Sequence, residues 1–163
     1  MNIRYMKRDD LAGAVQVHQQ AFGRQAQSPY WIEVTLEAFP RFLCFVAERG
    51  GQILGYLIWA QQRGYRDEAS VELDQIAVLP EFLSEQVARR LIEESMPHVS
   101  AQLASQGICA KHINISLRDD EHLHRPYQAA LDIEVTTVIS ELYRIDKVMM
   151  AAKEMERRAE TAD

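Results

Sequence analysis

The chain has 163 residues, 47% of them hydrophobic, which suits one compact domain with a full core. Its formal net charge of −6 excludes a chain-wide basic field for nucleic acid, and its longest apolar run, "ILGYLIWA" (53–60), is too short to span a bilayer. The N-terminal "MNIRYMKRDD" reaches charged residues too early for a signal peptide, and Cys44 and Cys109 lack metal-ligand spacing. These features predict a cytoplasmic protein without nucleic-acid or membrane partners.

The first part of the chain predicts a strand followed by two helices. Residues 2–6 alternate apolar and polar side chains, as a half-buried strand does. Asp9 or Asp10 is expected to cap the first helix, and Ser28-Pro29 to open a second helix that runs to about Phe39. One face of the first helix is formed by Leu11, Ala14, Val15, His18 and Phe22.

The pattern then changes to the two-residue period of strands. "RFLCFVAER" (41–49), a Gly50-Gly51 turn and "QILGYLIWA" (52–60) predict a hairpin. "SVELDQIAVL" (70–79) predicts a third strand, and a helix is expected after Pro80. The residues that this helix is expected to bury are Phe82, Val87, Leu91 and Ile92.

Beyond Gly107 the sequence predicts further strands and one short helix. "HINISL" (112–117), "IEVTTVI" (133–139) and "YRIDKVMMAA" (143–152) predict strands, and "RDDEHLHRPYQAAL" between the first two predicts a capped loop and a short helix. The whole order, β-α-α-β-β-β-α-β-α-β-β, predicts a mixed α/β (α+β) sheet with helices on its faces. Residues 1–150 are expected to form this single domain, and the charged residues 151–163 a C-terminal helix or tail.

Three segments, in this order, resemble the GCN5-related N-acetyltransferase (GNAT) family. "FVAERGGQILGYL" (45–57) resembles the family's first hairpin, "ELDQIAVLPEF" (72–82) its central strand, and "LPEFLSEQVARRLIEES" (79–95) its pyrophosphate turn and helix. The resemblance covers roughly residues 2–150. It implies a mostly antiparallel sheet of six to seven strands, flanked by about four helices and splayed at the central strand, where acetyl-CoA binds as co-substrate.

The resemblance also implies a function. Family members transfer an acyl group, most simply acetyl, from acyl-CoA to a primary amine that attacks the thioester directly. The expected acceptor is a small-molecule or peptide amine, and family members often form homodimers. The rival interpretation is a degenerate protein of the same fold that has lost turnover and serves as a binding or dimerisation module.

The pyrophosphate turn departs from the family pattern, which is Arg or Gln, two residues, Gly, one residue, then Gly or Ala. Only Ala88 conforms, because Leu83 replaces the basic or amide residue and Gln86 replaces the first glycine. A non-glycine residue at positive φ would cost about 1–2 kcal/mol, whereas helical dihedrals at Gln86 would cost little. Arg89 and Arg90 are expected either to offset a neighbouring glutamate beside the diphosphate or merely to be solvated.

The resemblance places acetyl-CoA against main-chain groups rather than side chains. Ile76 and Val78 of the central strand are implied to offer main-chain groups to the pantetheine arm. The residues implied at the co-substrate are Ile76, Ala77, Val78, Leu83, Ser84, Glu85, Gln86, Val87, Ala88 and Arg89.

Glu72 and Asp74 are candidates for the base that takes a proton from the ammonium group of the acceptor. Residues two apart on a strand face the same side. The apolar alternation of this strand slips between Leu73 and Ile76, which predicts a β-bulge. Two alternatives stay open. The carboxylates could hold the ammonium while water removes the proton, or they could lie on a solvated face.

The resemblance implies Tyr127 as the acid that reprotonates the leaving thiolate. Tyr127 follows Asp120 at the family's spacing of seven residues, although Pro126 places it near the start of the predicted helix. A core tyrosine is the alternative. His122 and His124 do not predict a metal site, because residues two apart lie on different helix faces and no third ligand is evident.

Three aromatic residues are assigned to the second predicted helix: Tyr30, Trp31 and Phe39. They are expected either to pack under a lid at the acceptor site or to belong to the core. His18 is expected to be a core or face histidine.

Overall fold

The structure is a computed structural model that describes residues 1–23, 25–62, 65 and 67–115. Its elements are strand β1 (Asn2–Tyr5), a 3-10 turn (Arg8–Asp10), helices α1 (Leu11–Phe22) and α2 (Ser28–Glu37), strands β2 (Phe42–Arg49), β3 (Gln52–Gln62) and β4 (Glu68–Val78), a 3-10 segment (Pro80–Glu85), helix α3 (Val87–Ser105) and strand β5 (Cys109–Ile115). This order confirms the predicted one as far as β5. The elements predicted from residue 118 onward lie outside the described residues.

The five described strands form one mixed sheet in the order β1-β2-β3-β4-β5. The first four strands pair antiparallel, and β5 runs parallel to β4. The predicted hairpin is present, with Arg49 paired to Gln52 across a turn in which Gly50 and Gly51 both have positive φ. That geometry belongs to a tight hairpin turn, for which glycine has the least steric cost.

The sheet buries a hydrophobic cluster on each face. On one face α3 packs through Val87, Leu91 and Ile92, which are fully buried as predicted. Phe82, which was expected to be buried by the same helix, is only partly buried and lies in the 3-10 segment, because α3 begins at Val87 and not directly after Pro80. The Trp59 Nε1–H of β3 also donates to Ser95 Oγ of α3 at 2.8 Å. On the other face α1 and α2 pack through Ala14, Val17 and Ile32 against Cys44, Val46, Tyr56, Ile58 and Ala77.

The ends of the first two predicted helices need three corrections. The Ser28 side chain does not cap α2 but donates to the Gln25 carbonyl at 2.9 Å, and Ser28 is the first residue of the helix. Helix α2 ends at Glu37, so Phe39 lies beyond it. Asp10 occupies the residue before α1, but its side chain makes no capping hydrogen bond to that helix.

No helix within the described ranges is long and apolar enough to cross a membrane. Cys44 is buried, Cys109 is exposed, and both are free thiols. No group of three or more potential metal ligands occurs in the described part of the chain. His122 and His124 lie outside that part.

Asp10 connects the start of α1 to β1 instead of capping the helix. Both terminal nitrogens of Arg4 donate to its carboxylate, at 2.7 and 2.8 Å, and the Lys7 main-chain N–H donates at 2.7 Å. The Arg4 hydrogen bond lowers the pKa of Asp10, although burial of the carboxyl acts in the opposite direction. The ion pair therefore favours the folded state when Asp10 is charged.

Replacing Asp10 with Asn should lower the free energy of unfolding by about 1–3 kcal/mol near neutral pH, because Arg4 loses its charged partner. The pKa of Asp10 is lowered on folding, so its contribution is present above the unfolded value. The contribution is lost as pH falls through the folded-state pKa, which lies below the ordinary value of 3.8. Denaturant unfolding of both proteins across this range should show the difference shrinking in acid. The exposed neighbour provides a control, and Asp9→Asn with an equal effect would contradict the assignment.

Candidate active site

A β-bulge in β4 turns two consecutive polar side chains to one face of the sheet. Ile58 of β3 pairs with Gln75, whereas the next residue, Trp59, pairs with Leu73, so Asp74 is the extra residue. The odd-numbered residues of β4 pack toward α3 before the bulge, and the even-numbered residues do so after it. Asp74 and Gln75 consequently both face α1 and α2. The bulge predicted between residues 73 and 76 is confirmed.

Asp74 and Gln75 line a cleft of about 260 Å³ between β4, α2 and the α1–α2 connection, called here the α2–β4 cleft. Its lining includes His18, Gln25, Trp31, Ile58, Asp74 and Gln75. Among the described lining residues, Asp74 is the one carboxylate. A cleft with a single anionic group and an aromatic wall suits a ligand that carries a positive charge on an otherwise uncharged body.

Asp74 is electrostatically coupled to its neighbours. Partial burial raises its pKa, and the negative charge of Glu72 raises it further. Glu72 accepts a hydrogen bond from Gln62 Nε2 at 2.8 Å. The Asp74 charge in turn adds to the effect of burial on Cys44, whose pKa is raised to about 12. A carboxylate with a raised pKa is a better proton acceptor than an ordinary one.

A second depression, of about 230 Å³, lies where the start of α1 meets α2. Three charged residues line it, and they pair with one another: Arg8 binds Glu33 at 2.6 Å and Glu37 at 2.9 Å. These ion pairs balance the guanidinium charge, and none of the predicted site residues lines this depression.

Beyond the bulge the main-chain groups of β4 alternate between its two edges. The last β4–β5 pair of the described residues joins Leu73 to Ile115, where the described part of the chain ends. The Leu79 N–H donates to a β3 carbonyl at 2.9 Å. Because successive residues of a strand direct their main-chain groups to opposite edges, Ala77 also faces β3, whereas Ile76 and Val78 direct theirs to the opposite edge. The predicted splay of the sheet at this strand depends on residues after Ile115, which lie outside the described residues, so it stays a prediction.

The turn before α3 adopts the strained geometry that the sequence left open. Gln86 has φ 56° and ψ 24°, and among the described residues it is the one non-glycine with positive φ. It occupies the position of the family's first glycine, so the left-handed alternative holds, at a cost of about 1–2 kcal/mol. The Gln86 side chain is exposed and Leu83 is 67% exposed, so neither is buried within the turn.

The first turn of α3 presents main-chain N–H groups at the end of the helix. The Arg90 N–H is bonded to the Gln86 carbonyl at 3.0 Å, which is the helix's first internal bond. The preceding N–H groups of Val87, Ala88 and Arg89 have no such partner within the helix. Together with the positive end of the helix dipole they can bind an anion.

Arg89 and Arg90 are engaged along the helix surface. Arg89 pairs with Glu93 at 2.7 Å, and Arg90 pairs with Glu94, each four residues ahead. These contacts favour the interpretation in which the two guanidinium groups belong to a solvated helix face. Any anion bound at this turn is therefore held mainly by the main chain.

The three aromatic residues assigned to the second helix are not in the core. Tyr30, Trp31 and Phe39 are 59%, 63% and 56% exposed. Trp31 lines the α2–β4 cleft and makes an edge-on contact with Tyr30, with 5.9 Å between ring centroids. The core alternative is thus wrong: α2 turns Tyr30 and Trp31 outward, and Phe39 is exposed beyond the end of the helix.

The sequence reasoning missed three polar residues that the fold joins by hydrogen bonds. Tyr56 donates to Gln75 Oε1 at 2.8 Å, and its oxygen lies 2.6 Å from His18 Nδ1. The one available signal was the phase slip in β4, which places residue 75 on the cleft face. Tyr127 lies outside the described residues.

The sequence profile described as "Acetyltransferase (GNAT) family" matches residues 11–124. Among curated proteins, none matches the sequence significantly. Similarity to solved structures is extensive but rests on low sequence identity.

Three solved structures illustrate the similarity. AAC(6')-Iy in complex with the bisubstrate analogue CoA-S-monomethyl-acetylneamine has 21% identity and a TM-score of 0.68, over 88% of this chain and 97% of that one. The aminoglycoside 6'-N-acetyltransferase AAC(6')-IG from Acinetobacter haemolyticus has 16% identity and a TM-score of 0.67, over 88% and 98%. A putative acetyltransferase from Agrobacterium tumefaciens has 13% identity and a TM-score of 0.67, over 88% and 100%. At such identities the similarity establishes the fold.

Replacing Gln86 with Gly should raise the free energy of unfolding by about 1 kcal/mol, because glycine adopts positive φ without the steric penalty of a Cβ atom. Gln86→Ala is the matched control. It removes the same side-chain atoms beyond Cβ but keeps the strain, so it should give no comparable gain. Denaturant unfolding of the three proteins measures the differences. Equal stabilities of the Gly and Ala variants would contradict the left-handed conformation.

Proposed function

This protein belongs to the GNAT acetyltransferase family, and we propose that it transfers an acetyl group from acetyl-CoA to a primary amine in the α2–β4 cleft. One observation carries this proposal: the bulge turns the Asp74 carboxylate into the cleft immediately before the stretch of the same strand that is proposed to bind acetyl-CoA. An acceptor on the face of β4 and a thioester along its edge would lie within reach of each other. Such positioning is a large part of catalysis in bimolecular transfers.

Asp74 is proposed to bind the ammonium group of the acceptor and to accept one of its protons. The amine becomes a nucleophile only when it loses that proton. The raised pKa of Asp74, caused by partial burial and by Glu72, supports a role as proton acceptor. Glu72 is proposed to assist by raising the pKa of Asp74.

Acetyl-CoA, when bound, supplies an acyl group activated as a thioester. Ile76 and Val78 are proposed to bind its pantetheine arm through the main-chain groups that point away from β3. The N–H groups of Val87, Ala88 and Arg89 are proposed to bind the diphosphate. The left-handed Gln86 and its outward side chain support this fit, because they leave the main chain of the turn accessible.

The transfer conserves atoms and protons. The ammonium group loses one proton to Asp74 before the attack, and the nitrogen loses a second as it forms its bond to the acyl carbon and the carbon–sulfur bond breaks. The leaving thiolate takes up one proton, for which Tyr127 is proposed as the donor, and the second proton from the nitrogen restores Tyr127. The proton on Asp74 is released to solvent.

Acetyl-CoA should bind saturably to the protein, which isothermal titration calorimetry measures directly. The rival candidate, a binding or dimerisation module of the same fold, predicts no such binding. An absence of saturation at millimolar acetyl-CoA, with the protein folded, would favour the module.

Asp74→Asn should lower kcat/KM by about 10²–10⁴, as expected when a general base is removed. Glu72→Gln should lower the pKa of Asp74, because it removes a like charge. Because activity is proposed to require Asp74 in its charged form, the fall of kcat/KM in acid should occur at lower pH in Glu72→Gln than in the unchanged protein. A thiol-release assay across pH measures both effects, and Tyr127→Phe in the same assay tests the proposed acid. An unchanged rate in Asp74→Asn would show that Asp74 is not the base. A shift of the acidic limb of Glu72→Gln to higher pH would contradict the effect of Glu72 on the pKa of Asp74.

A further inference from the structure

A chain of hydrogen-bonded side chains connects α1 to the cleft and ends at Gln75. Tyr56 Oη lies 2.8 Å from Gln75 Oε1 and 2.6 Å from His18 Nδ1. His18 and Tyr56 are buried, with 6% and 0% exposure. The proposed transfer uses none of these three residues, so their arrangement calls for a separate explanation.

The direction of these hydrogen bonds fixes what Gln75 presents to the cleft. Burial raises the pKa of Tyr56, so its hydroxyl keeps the proton that it donates to Gln75 Oε1. In this arrangement His18 Nδ1 donates to the Tyr56 oxygen, and the other ring nitrogen, Nε2, lies 3.2 Å from Gln25 Oε1. Since the carbonyl oxygen of the Gln75 amide is occupied, its NH₂ group remains available as a donor to a ligand.

The cleft therefore combines three recognition elements. Asp74 provides a negative charge, and Gln75 beside it provides a fixed N–H donor on the same face of β4. Trp31 provides a ring that is 63% exposed and is supported at its edge by Tyr30. Consecutive Cα atoms are about 3.8 Å apart, so the Asp74 carboxylate and the Gln75 NH₂ group can contact neighbouring atoms of one small ligand.

We propose that the acceptor in this cleft is a primary amine with a single positive charge, a hydroxyl group on the carbon next to the one that bears the nitrogen, and a flat apolar substituent. Its ammonium group binds Asp74, its hydroxyl oxygen accepts from Gln75, and its substituent packs on Trp31. The assignment of this ligand as acceptor rests on the proposed function, whereas its binding does not.

The described lining of the cleft favours an acceptor with one ammonium group over a polycation. Asp74 is the one carboxylate among the described lining residues, and Glu72, although on the same face of β4, does not line the cleft. A ligand with several ammonium groups would bury charges that these lining residues do not pair, which costs free energy. A single ammonium group satisfies Asp74 and leaves the aromatic wall for an uncharged group.

The test compares 2-amino-1-phenylethanol with 2-phenylethylamine, which differ by one hydroxyl group. Each is titrated into the full chain without acetyl-CoA. Calorimetry gives the affinity, and tryptophan fluorescence reports the location, because Trp31 is exposed and the second tryptophan, Trp59, is fully buried. The amino alcohol should bind about 2- to 10-fold more tightly, as one added hydrogen bond allows.

Gln75→Leu should abolish this preference while changing the affinity for 2-phenylethylamine by no more than about twofold. The comparison of two ligands on two proteins cancels the difference in basicity between the amines. Trp31→Leu is the matched control on the opposite wall. It should weaken both amines to a similar extent and preserve the preference for the hydroxyl group.

Four results would overturn the inference: neither amine binds saturably, both bind equally well, the preference survives in Gln75→Leu, or the polycation neamine binds more tightly than either. Acetyl transfer provides the separate test of function. A hydroxyl preference without any transfer would refute the proposed function and support this inference. Acetyl transfer to both amines without a hydroxyl preference would support the proposed function and refute this inference.

Discussion

The candidate site depends on one extra residue in β4. A regular strand would continue its two-residue alternation, and Gln75 would then point into the hydrophobic cluster under α3. The bulge at Asp74 shifts the phase, so that Leu73 before it and Ile76 after it both pack toward α3. Asp74 and Gln75 are thereby both placed on the cleft face, and no apolar residue of β4 has to become exposed as a result. The same shift immediately precedes Ile76 and Val78, so the proposed acceptor and acetyl-CoA contacts lie on either side of one local irregularity.

A second backbone constraint lies at Gln86, where the chain passes from β4 into α3. Glycine would adopt this left-handed conformation at little cost, whereas glutamine pays about 1–2 kcal/mol. The surroundings can sustain this cost because Val87 and Leu91, just beyond the turn, are fully buried against the sheet. The packing of α3 thus holds the turn in the shape that the main-chain amides need. Glutamine in place of glycine makes this conformation more costly, but the N-terminus of α3 and its main-chain N–H groups are still present.

The sequence was sufficient wherever local signals determined the structure. Alternation and a Gly-Gly turn predicted the β2–β3 hairpin, and the phase slip between Leu73 and Ile76 predicted the bulge. It was insufficient where two parts of the chain compete for one group. Asp10 looked like a helix cap, but Arg4 on the neighbouring strand binds its carboxylate instead. The exposed position of Trp31 likewise follows from how α2 packs, which no local pattern contains.

The hydrogen bonds among His18, Tyr56 and Gln75 were beyond the reach of sequence patterns for the same reason. Their partners are 38 and 19 residues apart, and their contact depends on the register of β3 and β4 and on how α1 docks. A fully buried tyrosine hydroxyl costs free energy unless it is bonded, so the packing of α1 and the polarity of the cleft are not independent. If His18 loses its contact with Tyr56, the hydroxyl can rotate and Gln75 is no longer held with its NH₂ group toward the ligand. The core contact that stabilises α1 therefore also orients the donor in the cleft, and a small change in helix packing would be felt as a change in ligand recognition.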